Sequence, residues 1–108
     1  MRLPVVGAAL TLAFLMSLAL AAEKVVGDPK VGAKLFETNC SECHNAESKE
    51  AKTGPGLKGV KDGRLPSGDP ATQEEILKLL DEGREEMPPF SDLTEEQKNN
   101  VSAFVLTL

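Results

Sequence analysis

The chain has 108 residues, room for one domain, and 17 acidic against 12 basic side chains give it a net charge of −5. That balance excludes the basic surface on which nucleic-acid binding depends. With four phenylalanines, no tryptophan and no tyrosine, so short a chain has too thin a core to stand unaided, and a non-protein group is expected to fill the middle.

The first element is a signal. Arg2 precedes an uncharged run, Leu3 to Ala22, that closes on Ala19-Leu20-Ala21 or Leu20-Ala21-Ala22; this is the pattern of a secretory signal peptide over residues 1–22. An uncleaved anchor competes, because an uncharged run of this length can span a bilayer; Pro4, Gly7 and the A-x-A ending favour cleavage. The domain is then residues 23–108, with 11 basic and 17 acidic residues and a net charge of −6. Nothing in it can span a membrane, and the expected location is the periplasm.

Asp28 followed by Pro29 predicts a helix start, an N-cap oxygen and then a preset φ, with Val31, Leu35 and Phe36 on one face. From Ala46 to Pro70 the chain is rich in Gly, Pro, Lys and Asp without apolar periodicity, which predicts a long irregular loop. A loop of that length is uncommon in a small domain unless it wraps something. Thr72-Gln73-Glu74-Glu75 reads as a capping box before the stripe Ile76, Leu77, Leu79, Leu80, and Gly83 as the stop. Thr94-Glu95-Glu96-Gln97 repeats the device before Val101, Phe104, Val105 and Leu108. Three helices and no strand make the domain all-α.

Both cysteines and the one histidine lie in Asn39-Cys40-Ser41-Glu42-Cys43-His44. Cys-x-x-Cys-His is the attachment signature of c-type haem: each thiol adds to one vinyl group, and the adjacent His reaches the iron from one side. Three other readings compete. A zinc site needs a fourth ligand of similar type, which the chain lacks. A thioredoxin-like pair needs a βαβ setting. A Cys40–Cys43 disulfide suits an exported protein but leaves His44 and the thin core unexplained.

An electron-carrying haem needs a second axial ligand, and residues 23–108 contain one methionine and no second histidine. Met87 lies beyond the Gly83 stop and before Pro88-Pro89, off the helical stripe, held by rigid backbone. The alternative is a methionine that merely fills a gap. As a ligand its thioether is soft and neutral, favours ferrous iron and raises the potential.

In order, Gly32-x-x-x-Phe36, Cys40-x-x-Cys43-His44, Gly54-Pro55-Gly56-Leu57, Met87-Pro88-Pro89-Phe90 and Val101-x-x-Phe104 cover nearly all of residues 28–108, and the chain resembles a small, soluble, monohaem class I cytochrome c. The resemblance implies that fold, three or more helices wrapped around one covalently attached haem c (iron) per chain. It implies that the first and last helices cross, with Gly32 allowing close approach and Phe36 meeting Phe104. It also implies that the Pro55 carbonyl accepts the Nδ1 hydrogen of His44 and that Leu57 packs on the haem; without it the segment reads as a turn and Leu57 as ordinary core. The aromatic donor that such proteins often place near the propionates is missing, which leaves Arg64 or Gln73 for that part.

Residues 72–87 carry a net charge of −4 and residues 49–64 a net charge of +3. This is either an ordinary solvated face or a field that steers encounter with a complementary protein. The function expected is one-electron transfer between redox protein partners that dock transiently, by a monomer that is not an enzyme. The alternatives are a haem sensor or catalytic subunit with an exchangeable sixth ligand, and a membrane-anchored electron-transfer module of a larger complex.

Overall fold

The structure, a computed structural model, describes Arg2 and residues 24–108; the expected signal peptide, Arg2 apart, lies outside the described residues. Three helices organise the domain: α1 (Pro29–Asn39), α2 (Gln73–Glu82) and α3 (Glu95–Val105). Among the described residues there is no strand, only two isolated bridges, Arg64 with Pro70 and Arg84 with Met87.

The helices begin where their caps predict. Asp28 Oδ1 accepts the Lys30 N–H at 2.8 Å ahead of Pro29. Thr94 and Gln97 form the full reciprocal box. At Thr72 only half of it forms, the hydroxyl accepting the Glu75 N–H at 3.2 Å. α2 stops at Gly83, whose φ of +71° suits glycine.

α1 crosses α3 closely, and Gly32 makes this possible. A Cβ there would collide with the Asn100 carbonyl oxygen and stand 2.9 Å from Phe104 Cβ. The Phe36 and Phe104 rings then meet at 5.3 Å between centroids, tilted by 58°, within the favourable range for aromatic pairs. Val31 departs from expectation. It is exposed, because the crossing uses the Gly32–Phe36 edge of α1 and turns the first-turn valine outward.

The segment 46–70 also differs from a plain loop. It holds a 3-10 turn, Val60–Asp62, and its Leu57, Val60 and Leu65 join Phe36, Ile76, Leu80, Val101 and Val105 in the buried core. Lone apolar residues in a polar stretch show no period, so the inward placement of Val60 and Leu65 has no sequence signal. The segment is tied to the carboxy terminus: the Gly59 and Lys61 N–H groups both donate to the Leu108 carbonyl, at 2.8 and 3.2 Å.

Two polar devices fasten helix to helix. Lys98, 9 % exposed at its side chain, donates from α3 to Asp81 of α2 at 2.7 Å, with Glu95 at 3.6 Å. The Gln73 amide bridges chain segments far apart in sequence. Its Oε1 accepts the Val26 N–H at 2.9 Å, and its Nε2 donates to Val26 O at 2.6 Å and to Ser102 Oγ at 3.0 Å.

Candidate functional site

α1 ends at Asn39, and the chain winds on as a turn. The Cys43 and His44 N–H groups both donate to the Cys40 carbonyl, at 3.2 and 2.9 Å. The turn sets out Cys40, Cys43 and His44 on one short piece of backbone, and all three are half-buried. The two cysteines are not joined in a disulfide. Burial, helped by neighbouring Cys43, pushes the Cys40 thiol up to about 11; this is the behaviour of a sulfur facing an apolar interior rather than water.

Segment 54–57 lies along this turn and is stitched to it by backbone. The Gly54 N–H donates to Cys43 O and the Leu57 N–H to Asn45 O, each at 2.8 Å. Between these two bonds the His44 Nδ1–H donates to the Pro55 carbonyl at 2.7 Å. A carbonyl can only accept, so Nδ1 carries a proton, and in the neutral ring Nε2 is then the nitrogen with the lone pair. A cleft of about 620 Å³ opens beside the imidazole, with Phe36, Ser41, Ala46 and Phe104 in its wall. A larger depression of about 900 Å³ lies between Lys24, Val25 and α2, and no cysteine, histidine or methionine lines it.

Met87 sits on the segment after α2. The Arg84 and Met87 N–H groups each donate to the other's carbonyl, at 2.9 and 2.8 Å, and the Phe90 N–H donates to Leu80 O at 2.7 Å. The resulting loop is folded back on the end of α2, and a Cβ on Gly83 would stand 2.7 Å from Met87 O. Met87 and Cys40 pack, half-buried, against the same apolar cluster that contains Leu57. His44 joins that cluster indirectly, through Pro55 two residues before Leu57.

The donor set fits a covalently held haem. Two unpaired thiols with the right spacing stand beside an imidazole whose free nitrogen is already selected, and one thioether lies on the same apolar core. Among the described residues no group of three or more His, Cys, Asp or Glu side chains gathers to hold a metal ion, so the zinc alternative has no ligand cluster. Of the two residues considered for the propionates, Gln73 has its amide committed to Val26 and Ser102, and Arg64 donates to the Gly68 carbonyl at 3.1 Å. Sequence reasoning missed one contributor. Gly54, read only as part of a turn motif, lies so close to the imidazole that a Cβ there would stand 2.5 Å from His44 Cε1.

An all-α unit whose first and last helices cross next to a Cys-x-x-Cys-His turn defines a class I monohaem cytochrome c. The chain belongs to the cytochrome c family: the family model described as cytochrome c oxidase, cbb3-type, subunit III matches residues 27–105. Cytochrome c6 of Thermosynechococcus vestitus is 32% identical over 99 residues, covering 91% of this chain and 84% of the relative. The cytochrome bc1 complex cytochrome c subunit of Corynebacterium efficiens is 36% identical over 86 residues, 72% of this chain but 25% of that subunit. The chain thus spans about a quarter of the length of the bc1 subunits that it matches. The solved structure of cytochrome c6 from the diatom Phaeodactylum tricornutum superposes with a TM-score of 0.61 at 28% identity, covering 75% of this chain and 93% of that one. Membership of this family implies covalently bound haem c and an electron-transfer role. Among the described residues no helix is long and apolar enough to cross a membrane.

Proposed function

We propose that the protein is an exported one-electron carrier of the periplasm. It holds one haem c through Cys40 and Cys43, with His44 and Met87 as iron ligands and residues 1–22 removed as a signal peptide. The observation that carries this reading is the 2.7 Å bond from His44 Nδ1 to the Pro55 carbonyl, which leaves Nε2 free at the end of the turn that presents both thiols. Haem, when bound, supplies a one-electron couple that these side chains lack.

The chain's own residues do the rest. Pro55 holds the His44 tautomer and ring direction and makes the imidazole a better donor. Met87 offers a neutral, soft sulfur from a loop whose backbone is bonded to itself and to α2. Leu57, 9% exposed, anchors the segment that carries Pro55 in the apolar core. With an imidazole and a thioether on the iron no position is left for a substrate, so the protein works as a carrier between a donor and an acceptor protein met in brief, small contacts.

The test is direct. Protein purified from the cell envelope should begin at Glu23, carry the added mass of one haem, and in the ferric form absorb in the far red through a methionine–iron bond. Met87→Ala should lose that band. Carbon monoxide binding by the reduced wild-type protein at neutral pH would overturn the His/Met assignment in favour of a haem sensor or catalytic subunit with an exchangeable sixth ligand. A second reading, an electron-transfer module of a larger complex, has support in the match to only 25% of the bc1 subunit. A mature protein that keeps Met1 and stays with the membrane would favour it.

A further inference from the structure

Gly54 does not need glycine's backbone freedom, since its φ lies outside the left-handed range occupied by Gly59, Gly63 and Gly83. It needs the space. A Cβ at this position would stand 2.5 Å from His44 Cε1, 2.9 Å from Nδ1 and 3.0 Å from Nε2. A point beyond the Cε1 edge, in the ring plane, would be much further from both nitrogens than from the carbon. The near-equal distances therefore put Gly54 over one face of the imidazole. The backbone there cannot retreat, because the Gly54 N–H donates to Cys43 O at 2.8 Å and the Lys52 N–H to Gly54 O at 2.9 Å. The bond from Nδ1 to Pro55 fixes one direction of the ring and leaves rotation about that line open. Bare backbone at Gly54 blocks the rotation on one side.

We propose that Gly54 is a positioning residue that sets the plane of the His44 imidazole, by laying side-chain-free backbone on one ring face while the Pro55 carbonyl holds Nδ1. The inference rests on His44 being an iron ligand. A side chain at position 54 must tilt the ring and stretch the bond to Pro55. An imidazole that loses this bond is a weaker donor, which favours the ferrous state, so the reduction potential rises.

The experiment compares the wild-type holoprotein with Gly54→Ala and with the exposed control Lys58→Ala, by proton NMR of the ferric form and by potentiometric titration. Wild type should show strongly hyperfine-shifted His44 ring signals; their absence would overturn the ligand assignment itself, independently of Gly54. Gly54→Ala should change the spread of the haem methyl shifts and raise the potential, while Lys58→Ala changes neither. A Gly54→Ala protein with the wild-type methyl pattern and potential overturns the proposal. Should that variant fail to accumulate, the ferrous wild type decides. The Gly54 α protons should show cross-relaxation to His44 Hε1 and an upfield ring-current shift, and the lack of both overturns the proposal equally.

Discussion

Replacing Gly32 by alanine sets two effects of opposite sign against each other. Judged by helix propensity alone, alanine in the interior of α1 stabilises by about 1 kcal/mol relative to glycine. The crossing with α3 opposes this. The new Cβ collides with the Asn100 carbonyl and would stand 2.9 Å from Phe104 Cβ, whereas ordinary contacts between heavy atoms need about 3.5 Å. Neither partner can yield by rotating a side chain: one is backbone, the other the root of the ring packed at a tilt against Phe36, 5.3 Å between centroids. The helices must therefore part by roughly 1–2 Å, and a gap of even ~1 Å forfeits up to about half the attraction of each contact across it. Overpacking of this kind costs up to about 3 kcal/mol, and loosening the aromatic pair adds about 1 kcal/mol. Set against the propensity gain, the net is a destabilisation of about 3 kcal/mol, or roughly 15 °C in thermal midpoint for a domain of this size. Urea unfolding of the holoprotein, followed by far-ultraviolet circular dichroism and by haem absorbance, measures it, with the exposed Lys34→Ala on the same helix as control. A Gly32→Ala protein as stable as wild type, or more so, would refute the steric argument and leave propensity in charge.

Four further outcomes are expected. The hydrogen bond from Lys98 to Asp81 is the main cause that raises the Lys98 ammonium above the ordinary lysine value of 10.5; because the folded value is the higher, this clasp stabilises fully below the unfolded lysine value and is lost as pH climbs through the folded one. Asp81→Asn should therefore lower the thermal midpoint at neutral pH and flatten its alkaline decline, and an unchanged alkaline profile would rule the clasp out. Gln73→Leu removes the amide bonds to Val26 and Ser102, should cost about 1–2 kcal/mol, and should speed proteolytic cutting at Lys24, read by mass spectrometry. Thr94→Ala should destabilise by about 1 kcal/mol and by more than Thr72→Ala, since only the Thr94 box is reciprocal; chemical denaturation ranks the two. Pro55→Ala keeps the carbonyl that accepts from His44 and should shift the potential less than Gly54→Ala, as potentiometry will show.

Where the sequence was legible, the determining contacts were short in range. The helix starts at Asp28, Thr72 and Thr94, the stop at Gly83, and the turn that groups Cys40, Cys43 and His44 all depend on partners within four positions, so local pattern suffices to find them. The Phe36–Phe104 meeting and the Pro55 acceptor are long-range, and both were reached through resemblance to a known family rather than from periodicity. Val31 is exposed for a related reason: a helical stripe indicates which residues share a face, and the crossing with α3 decides which edge of that face is covered.

Neighbours along the chain set the all-α class, the positions of the caps and the grouping of the Cys-x-x-Cys-His turn, so these are legible without any long-range contact. The remaining features depend on the packed fold. Gln73 reaches Val26 and Ser102 across 47 and 29 positions, the Asp28 N–H meets Asn100 across 72, and Gly54 comes to rest on the His44 ring. Such pairings carry no periodic signal, since they arise only when the burial of Phe36, Val60, Leu80 and Val101 in one core brings distant backbone together and leaves its polar groups to find partners there.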